Sequence, residues 1–253
     1  MKKIVILLCC LFSSYFCLAD EPVTDPFDSV QWADMSSAFL QGKAIQFDDR
    51  VKVKTPSFAE NPMNVPVSVD ATELENIEQI IIFADFNPIP LIARYYPFSA
   101  EAKLSFRFKI QQSSPVRAAV LTKDQVWHVG GARIDSAGGG CTVASTGRLA
   151  GDWADKLGEV YGKRWLNPNN DRVRFLINHP MDTGLVSGIP AFFIEELSFM
   201  NEHGDLLARI ELFEPINENP VLTFDFKTKG SRSDILMVGL DNNGNEFSAE
   251  FKP

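Results

Sequence analysis

The sequence is short of the residues that do chemistry. Its 253 residues include three histidines and four cysteines. His128, His179 and His203 stand apart, with no second His or Cys at ligand spacing, so no metal is expected. There is no G-x-S-x-G elbow, and no glycine fingerprint sits inside a βαβ unit, so no hydrolase or dinucleotide pattern is present. Nothing in the spacing brings His128 or His179 to a cysteine as its base. Cations are scarce too: 24 Lys+Arg stand against 33 Asp+Glu, a net charge of −9. That balance excludes nucleic-acid binding through an overall basic surface. A positively charged protein partner or a small ligand suits it better.

Long hydrophobic runs are also missing, except at the start. MKKIVILLCCLFSSYFCLA has two lysines, a short apolar run and a small residue at Ala19. This is the layout of a secretory signal over residues 1–19, cleaved near Ala19, and the run is too short to span a membrane. Leu8, Cys9 and Phe16 precede Cys9, Cys10 and Cys17, where a lipobox needs a small residue. Loss of Lys2 and Lys3 takes the net charge from −9 to −11. Three of the four cysteines leave as well, so an exported chain keeps Cys141 alone and cannot close an internal disulfide.

What is abundant is strand-forming sequence. Leu104, Phe106, Phe108 and Ile110 alternate with Ser105, Arg107 and Lys109, as in a half-buried antiparallel strand. Similar runs occur at VPVSVDA, QIIIFAD, RAAVLTK and QVWHVGGARI, separated by Pro, Gly and Ser breaks. A second β region runs from RVRFLINHP to the end, with turns expected at His203–Gly204 and, as type I′, at Asn243–Gly244. Two helices are expected. One is short, near Asp28–Leu40, with Val30, Met35 and Phe39 at helical spacing and Asp28 or Ser29 as cap. The other links the two β regions, with Leu149, Trp153, Leu157, Val160 and Tyr161 on one face. Tyr95, Tyr96 and Phe98 read as strand core, with an exposed docking patch as the alternative.

Several motifs carry a family resemblance. His179–Gly184 (HPMDTG), Ile189–Pro190, the Asn219–Pro220 of NENP and Asp241–Gly244 (DNNG) fall in the order found in SoxZ. The first β region resembles SoxY, with Asn87–Pro90 (NPIP), SSPVRAAV and a glycine-flanked cysteine. The resemblance implies an all-β chain of two immunoglobulin-like β-sandwich domains, with a short N-terminal helix. A SoxY-like domain would span 28–145, a helical linker 146–169 and a SoxZ-like domain 170–253. It also implies a non-enzymatic periplasmic carrier for sulfur oxidation, including thiosulfate oxidation, with no cofactor. Sulfur intermediates would ride covalently on Cys141. Partners would be periplasmic sulfur-oxidising enzymes, or quinoprotein dehydrogenase and cytochrome components, since SoxY-first fusions resemble carriers associated with quinoprotein dehydrogenases. An accessory protein of such a dehydrogenase system, without sulfur cargo, is the alternative. No contact with nucleic acid, or with membrane after signal cleavage, is expected.

The cysteine motif departs from the SoxY pattern of GGCGG at the chain end. Here DSAGGGCTVAST is internal, with Thr142 and Val143 after the thiol. Glycine has no Cβ and reaches positive φ without penalty. Gly138, Gly139 and Gly140 are therefore expected to form a thin flexible arm that exposes Cys141 at a loop tip, where its thiolate can attack.

Overall fold

The computed structural model describes residues 24–149, 153–228 and 232–253. The expected signal segment lies outside them. After a short helix, α1 (Trp32–Phe39), come β1 (Ala44–Phe47), β2 (Lys52–Lys54), β3 (Phe58–Ala59), β4 (Val65–Asp70) and β5 (Ile77–Ala84). β6 (Leu91–Tyr96), β7 (Ala100–Phe108), β8 (Ser114–Thr122) and β9 (Val126–Ser136) complete the first half. A single helical turn, α2 (Thr146–Leu149), precedes β10 (Val160–Leu166), β11 (Asn170–Ile177) and β12 (Ile194–Asn201). β13 (Leu206–Leu212), β14 (Val221–Lys227), β15 (Ile235–Asp241) and β16 (Glu246–Phe251) close the second half.

Two sandwich halves share both of their sheets. One sheet runs β1-β9-β8-β5-β6-β13-β12-β15-β16, with β3 also on β9, and the other runs β10-β11-β14-β7-β4-β2. The halves join where β13 pairs β6 (Ile210 opposite Tyr95) and where β14 pairs β7 (Thr223 opposite Ser105). Alternation explains the burial. In β7 every second residue is buried, and in β11 Val173, Phe175 and Ile177 point inward. These faces meet in one apolar cluster that crosses the joint, where the Tyr95 ring packs tilted against Phe224 at 5.5 Å and Phe199 lies 4.9 Å from Phe224. Tyr95 is thus core, whereas Phe98 is 57% exposed.

Three local expectations are corrected. The linker is not an extended helix: residues 153–158 form turns, and Val160–Leu166 is a strand paired along its length with β11. Pairing satisfies seven residues of backbone at the sheet edge, and this outweighs a helical spacing that has no apolar surface to cover. In α1, Gln31 occupies the cap position without a side-chain bond, and Val30 is exposed. Asp25 instead closes the turn ahead of the helix, accepting the N–H groups of Phe27 (3.2 Å) and Ser29 (2.9 Å). At DNNG only Gly244 has positive φ (83°), and its N–H donates to Asp241 O at 3.0 Å. The loop is therefore a glycine-closed hairpin rather than type I′, which needs positive φ at both central residues.

α1 and the N-terminal strap cover the outer face of the first half, where Phe39 meets Phe83 at 5.3 Å and Trp32 meets Phe47 at 5.2 Å. Arg117, from SSPVRAAV, locks that strap down. Its guanidinium is fully buried and forks to Asp85 (2.8 Å) and Asp25 (2.7 Å).

Candidate functional site

Beyond β7 the chain continues through Lys109, Ile110 and Gln111, and this stretch is the floor of the site. The glycine segment docks on it. Gly139 N–H donates to Gln111 O (3.1 Å), and Gly140 N–H donates to Ile110 O (3.0 Å). Cys141 N–H donates to Gln111 Oε1 (3.2 Å), and the Cys141 thiol lies 3.5 Å from Lys109 O, in position to donate. Cys141 is 1% exposed. The expected exposed thiol at a loop tip is corrected: it is enclosed.

The glycines are explained by this docking rather than by freedom. A Cβ on Gly140 would lie 2.1 Å from Pro62 O and 2.6 Å from Ile110 O. Gly138 adopts φ +90°, and a Cβ there would sit 2.6 Å from Gln111 O. Gly139, at φ +91°, faces open space. Gly138 and Gly140 are therefore needed for close backbone approach and Gly138 and Gly139 for positive φ, and the segment lies against the protein as a fitted strip. In this conformation the arm is docked rather than projecting into solvent.

The second half closes over the cysteine. Thr183, in HPMDTG, donates its hydroxyl to Cys141 O at 2.7 Å. The buried Lys109 ammonium donates to Met181 O. Met181 itself has φ 48°, and its N–H donates to His179 Nδ1 at 3.1 Å. His179 N–H donates to Asn219 Oδ1 (3.0 Å), and Asn219 N–H donates to His179 O (2.9 Å). Its Nε2 lies 3.4 Å from Asp241 Oδ2. Downstream of the thiol, Glu218 accepts the Thr146 N–H (2.7 Å) and hydroxyl (2.9 Å). From the first half, Asn87 of NPIP donates to Lys109 O (2.9 Å) and accepts the Gln111 N–H (2.9 Å). The motifs scattered over both sequence halves thus meet around one thiol. His128 belongs elsewhere, bonded to Asp48 (2.7 Å) beside β1. Among the described residues no group of three or more His, Cys, Asp and Glu could hold a metal.

Sequence reasoning missed Lys109 and Gln111, and it singled out HPMDTG and NENP without assigning a contact to Thr183 or Glu218 within them. Lys109 occupies a polar position in the alternation of LSFRFKI, which marks it as solvent-facing. Its irregular position past the end of β7 turns it inward instead.

Burial sets the electrostatics. It pushes the Cys141 thiol up to about 11, with the Lys109 charge opposing. It pulls Lys109 down to about 8, against the favourable charges of Asp182, Cys141 and Glu218. The two act on stability in opposite senses. Lys109 binds its proton less readily folded than unfolded, so stability rises with pH between about 8 and its ordinary 10.5. Cys141 keeps its proton longer when folded, so stability falls between 9.0 and about 11. Cys141→Ser removes the second contribution, and with it the Cys141 charge that supports the Lys109 proton. The stability advantage of wild type over Cys141→Ser, measured by urea unfolding, is expected to shrink by roughly 2–3 kcal/mol across that interval. A pH-independent difference would contradict the enclosed, neutral thiol.

The family model described as Sulfur oxidation protein SoxY matches residues 36–141, ending on the cysteine. The model described as Sulphur oxidation protein SoxZ matches residues 167–252. No curated protein matches the chain. Among solved structures, the sulfur carrier protein SoxY from Chlorobium limicola f thiosulfatophilum is 21% identical over 42% of this chain and 96% of that chain, with a TM-score of 0.38.

Proposed function

Because this chain belongs to the SoxY and SoxZ families, one domain of each in a single sulfur-oxidation carrier, we propose that Cys141 is its covalent attachment point. The observation that carries the reading is convergence. NPIP, HPMDTG and NENP, from both halves, all contribute bonds to the floor, cover or flanks of this one side chain. A residue of no consequence does not need three motifs around it.

The chemistry asks little of the carrier. The Cys141 thiolate attacks a donor containing a sulfur–sulfur bond. A new S–S bond forms, the donor bond breaks, and its electron pair leaves with the departing sulfur group. Reversal by another thiol releases the cargo. An enclosed thiol cannot do this, so loading requires the strip to lift from Ile110 and Gln111. Lifting breaks a few hydrogen bonds and leaves both sheets intact, a local opening well short of unfolding. Fusion keeps the SoxZ half at high effective concentration, so the cover is always at hand to re-close. On the strength of the signal-like residues 1–19, we place this work in the periplasm, with sulfur-oxidising enzymes as partners.

A second reading is favoured by the burial itself. A 1%-exposed thiol held at about 11 is what an inert core cysteine looks like. In that reading the chain is an accessory factor of a quinoprotein dehydrogenase system and carries no sulfur.

Intact mass separates the two. Protein purified without reductant from cells grown on thiosulfate should carry whole-sulfur or sulfonate adducts that thiol removes and Cys141→Ser lacks. A bare mass on both thiosulfate and an alcohol would overturn the carrier reading.

A further inference from the structure

The solvent face of the six-stranded sheet carries a second feature, independent of the cysteine. It forms an open cleft of about 980 Å³ across both halves, lined by Lys54, Lys103, Arg107, Arg172 and Arg174. Its one acidic lining residue, Asp225, is already bonded to Arg172 at 2.8 Å. Lys103 is paired to Asp70 at 2.7 Å. Among the described residues no carboxylate lies within ion-pair distance of Lys54, Arg107 or Arg174. In a chain of net charge −9 this concentration of cations runs against the average.

Strand register places two of them, Lys54 and Arg174, in one row with Lys163. Lys163 stands opposite Arg174, Arg174 opposite Thr223, Thr223 opposite Ser105, Ser105 opposite Ser68, and Ser68 opposite Lys54. Six strands at the usual spacing carry the row over about 24 Å. Cations sit at both ends and hydroxyls in the middle. Trp165, 39% exposed, sits on the rim as an aromatic anchor of the kind that dominates interfaces.

We propose that this cleft docks an acidic, extended segment of a partner protein. Lys54 stands at the opposite end of the row from the Arg174–Lys163 pair, too far for the two ends to converge on one small dianion. A chain bearing several carboxylates can meet them in turn, with its polar groups over Thr223, Ser105 and Ser68. Charge complementarity of this kind raises association rate and fixes register. The cleft also points somewhere useful. Arg107 lies two residues before Lys109, whose carbonyl faces the thiol. Asn64 links the Arg107 side chain (3.4 Å) to Asn217 (3.3 Å), next to the Glu218 that anchors the cysteine strip. A partner seated here lies beside the cover of Cys141.

The test uses the full chain and a fluorescein-labelled deca-glutamate peptide, read by anisotropy and by tryptophan emission, with deca-lysine as control. Glutamate binding is expected, weakened about tenfold or more between about 50 and 300 mM salt. Lys54→Glu with Arg174→Glu should weaken it at least about tenfold, since like charges then face each other. Lys54→Arg with Arg174→Lys should retain it. Lys123→Glu with Lys252→Glu, an equal charge change away from the cleft, should leave it unaltered. Trp165→Phe should remove the emission change. Absence of binding, equal loss in both charge-reversed pairs, or displacement by sulfate beyond that of chloride at matched ionic strength would each overturn the proposal.

Discussion

Replacing Gly140 by alanine is expected to raise the rate at which iodoacetamide labels Cys141 at neutral pH by about a hundredfold or more. The argument is steric first. The new Cβ would stand 2.1 Å from Pro62 O and 2.6 Å from Ile110 O, both backbone atoms that cannot rotate away. The strip must lift. Lifting gives up the bonds from Gly139, Gly140 and Cys141 to Gln111 and Ile110, and the Thr183 hydroxyl loses Cys141 O. Solvation then acts on the thiol itself. Its pKa relaxes from about 11 toward the ordinary 9.0. Two units alone multiply the neutral-pH thiolate fraction about a hundredfold, and the thiolate is the species that reacts. Greater access adds to this. Near-UV circular dichroism should change little, because no sheet residue is touched. Labelling as slow as in wild type would show that the strip does not hold the thiol in.

Arg117→Leu is expected to produce the largest loss of stability, about 3–5 kcal/mol, the usual result of deleting one partner of a buried ionic group. Arg117 bonds Asp85 and Asp25 with all three guanidinium nitrogens. It also lies under the rings of Trp32 (4.5 Å) and Phe27 (4.9 Å). Leucine fills part of the volume but leaves Asp85, with no exposed side-chain surface, without its cation. For a chain of this size the melting temperature should fall by roughly 10 °C. Limited proteolysis should cut first near α1, the element the ion triad holds down. Arg117→Lys should not restore stability, since an ammonium with three donors cannot replace the two bonds that the guanidinium makes to each of Asp85 and Asp25. A shift within a degree or two of wild type would mean that the strap is held by its aromatic contacts instead.

Much of the fold was legible because two-residue periodicity reports burial directly. LSFRFKI and RVRFLI could be assigned to β7 and β11 for that reason. The edge strand β10 could not. Its side chains are exposed or half-buried throughout, so no alternation marks it, and its order comes from backbone pairing with β11, from Leu166 opposite Asp171 to Val160 opposite Ile177. The joint between the halves is equally silent, since backbone pairing of β6 with β13 and β7 with β14 leaves no local signature.

At the site, family resemblance located Cys141, HPMDTG and NENP, but composition misled about their state. A run of glycines reads as mobility when nothing is known of its neighbours. Here Gly138 and Gly140 exist to bring backbone against backbone, which depends on Pro62, Ile110 and Gln111, distant in sequence. The net negative charge likewise pointed to cationic partners, while the six-stranded sheet gathers five cations into a single cleft. An average over the chain says nothing about how one sheet face sorts its charges.

On the carrier reading, Cys141 is sheltered by a strip that opens without unfolding the protein. That opening is tested most directly by following iodoacetamide labelling of the wild-type chain by intact mass across a urea series. Local opening exposes little surface, so the labelling rate at low urea should be nearly flat, joining the steep global-unfolding line only near the midpoint. A rate that follows the steep line from the lowest urea onward would make Cys141 an ordinary core residue and contradict the carrier account.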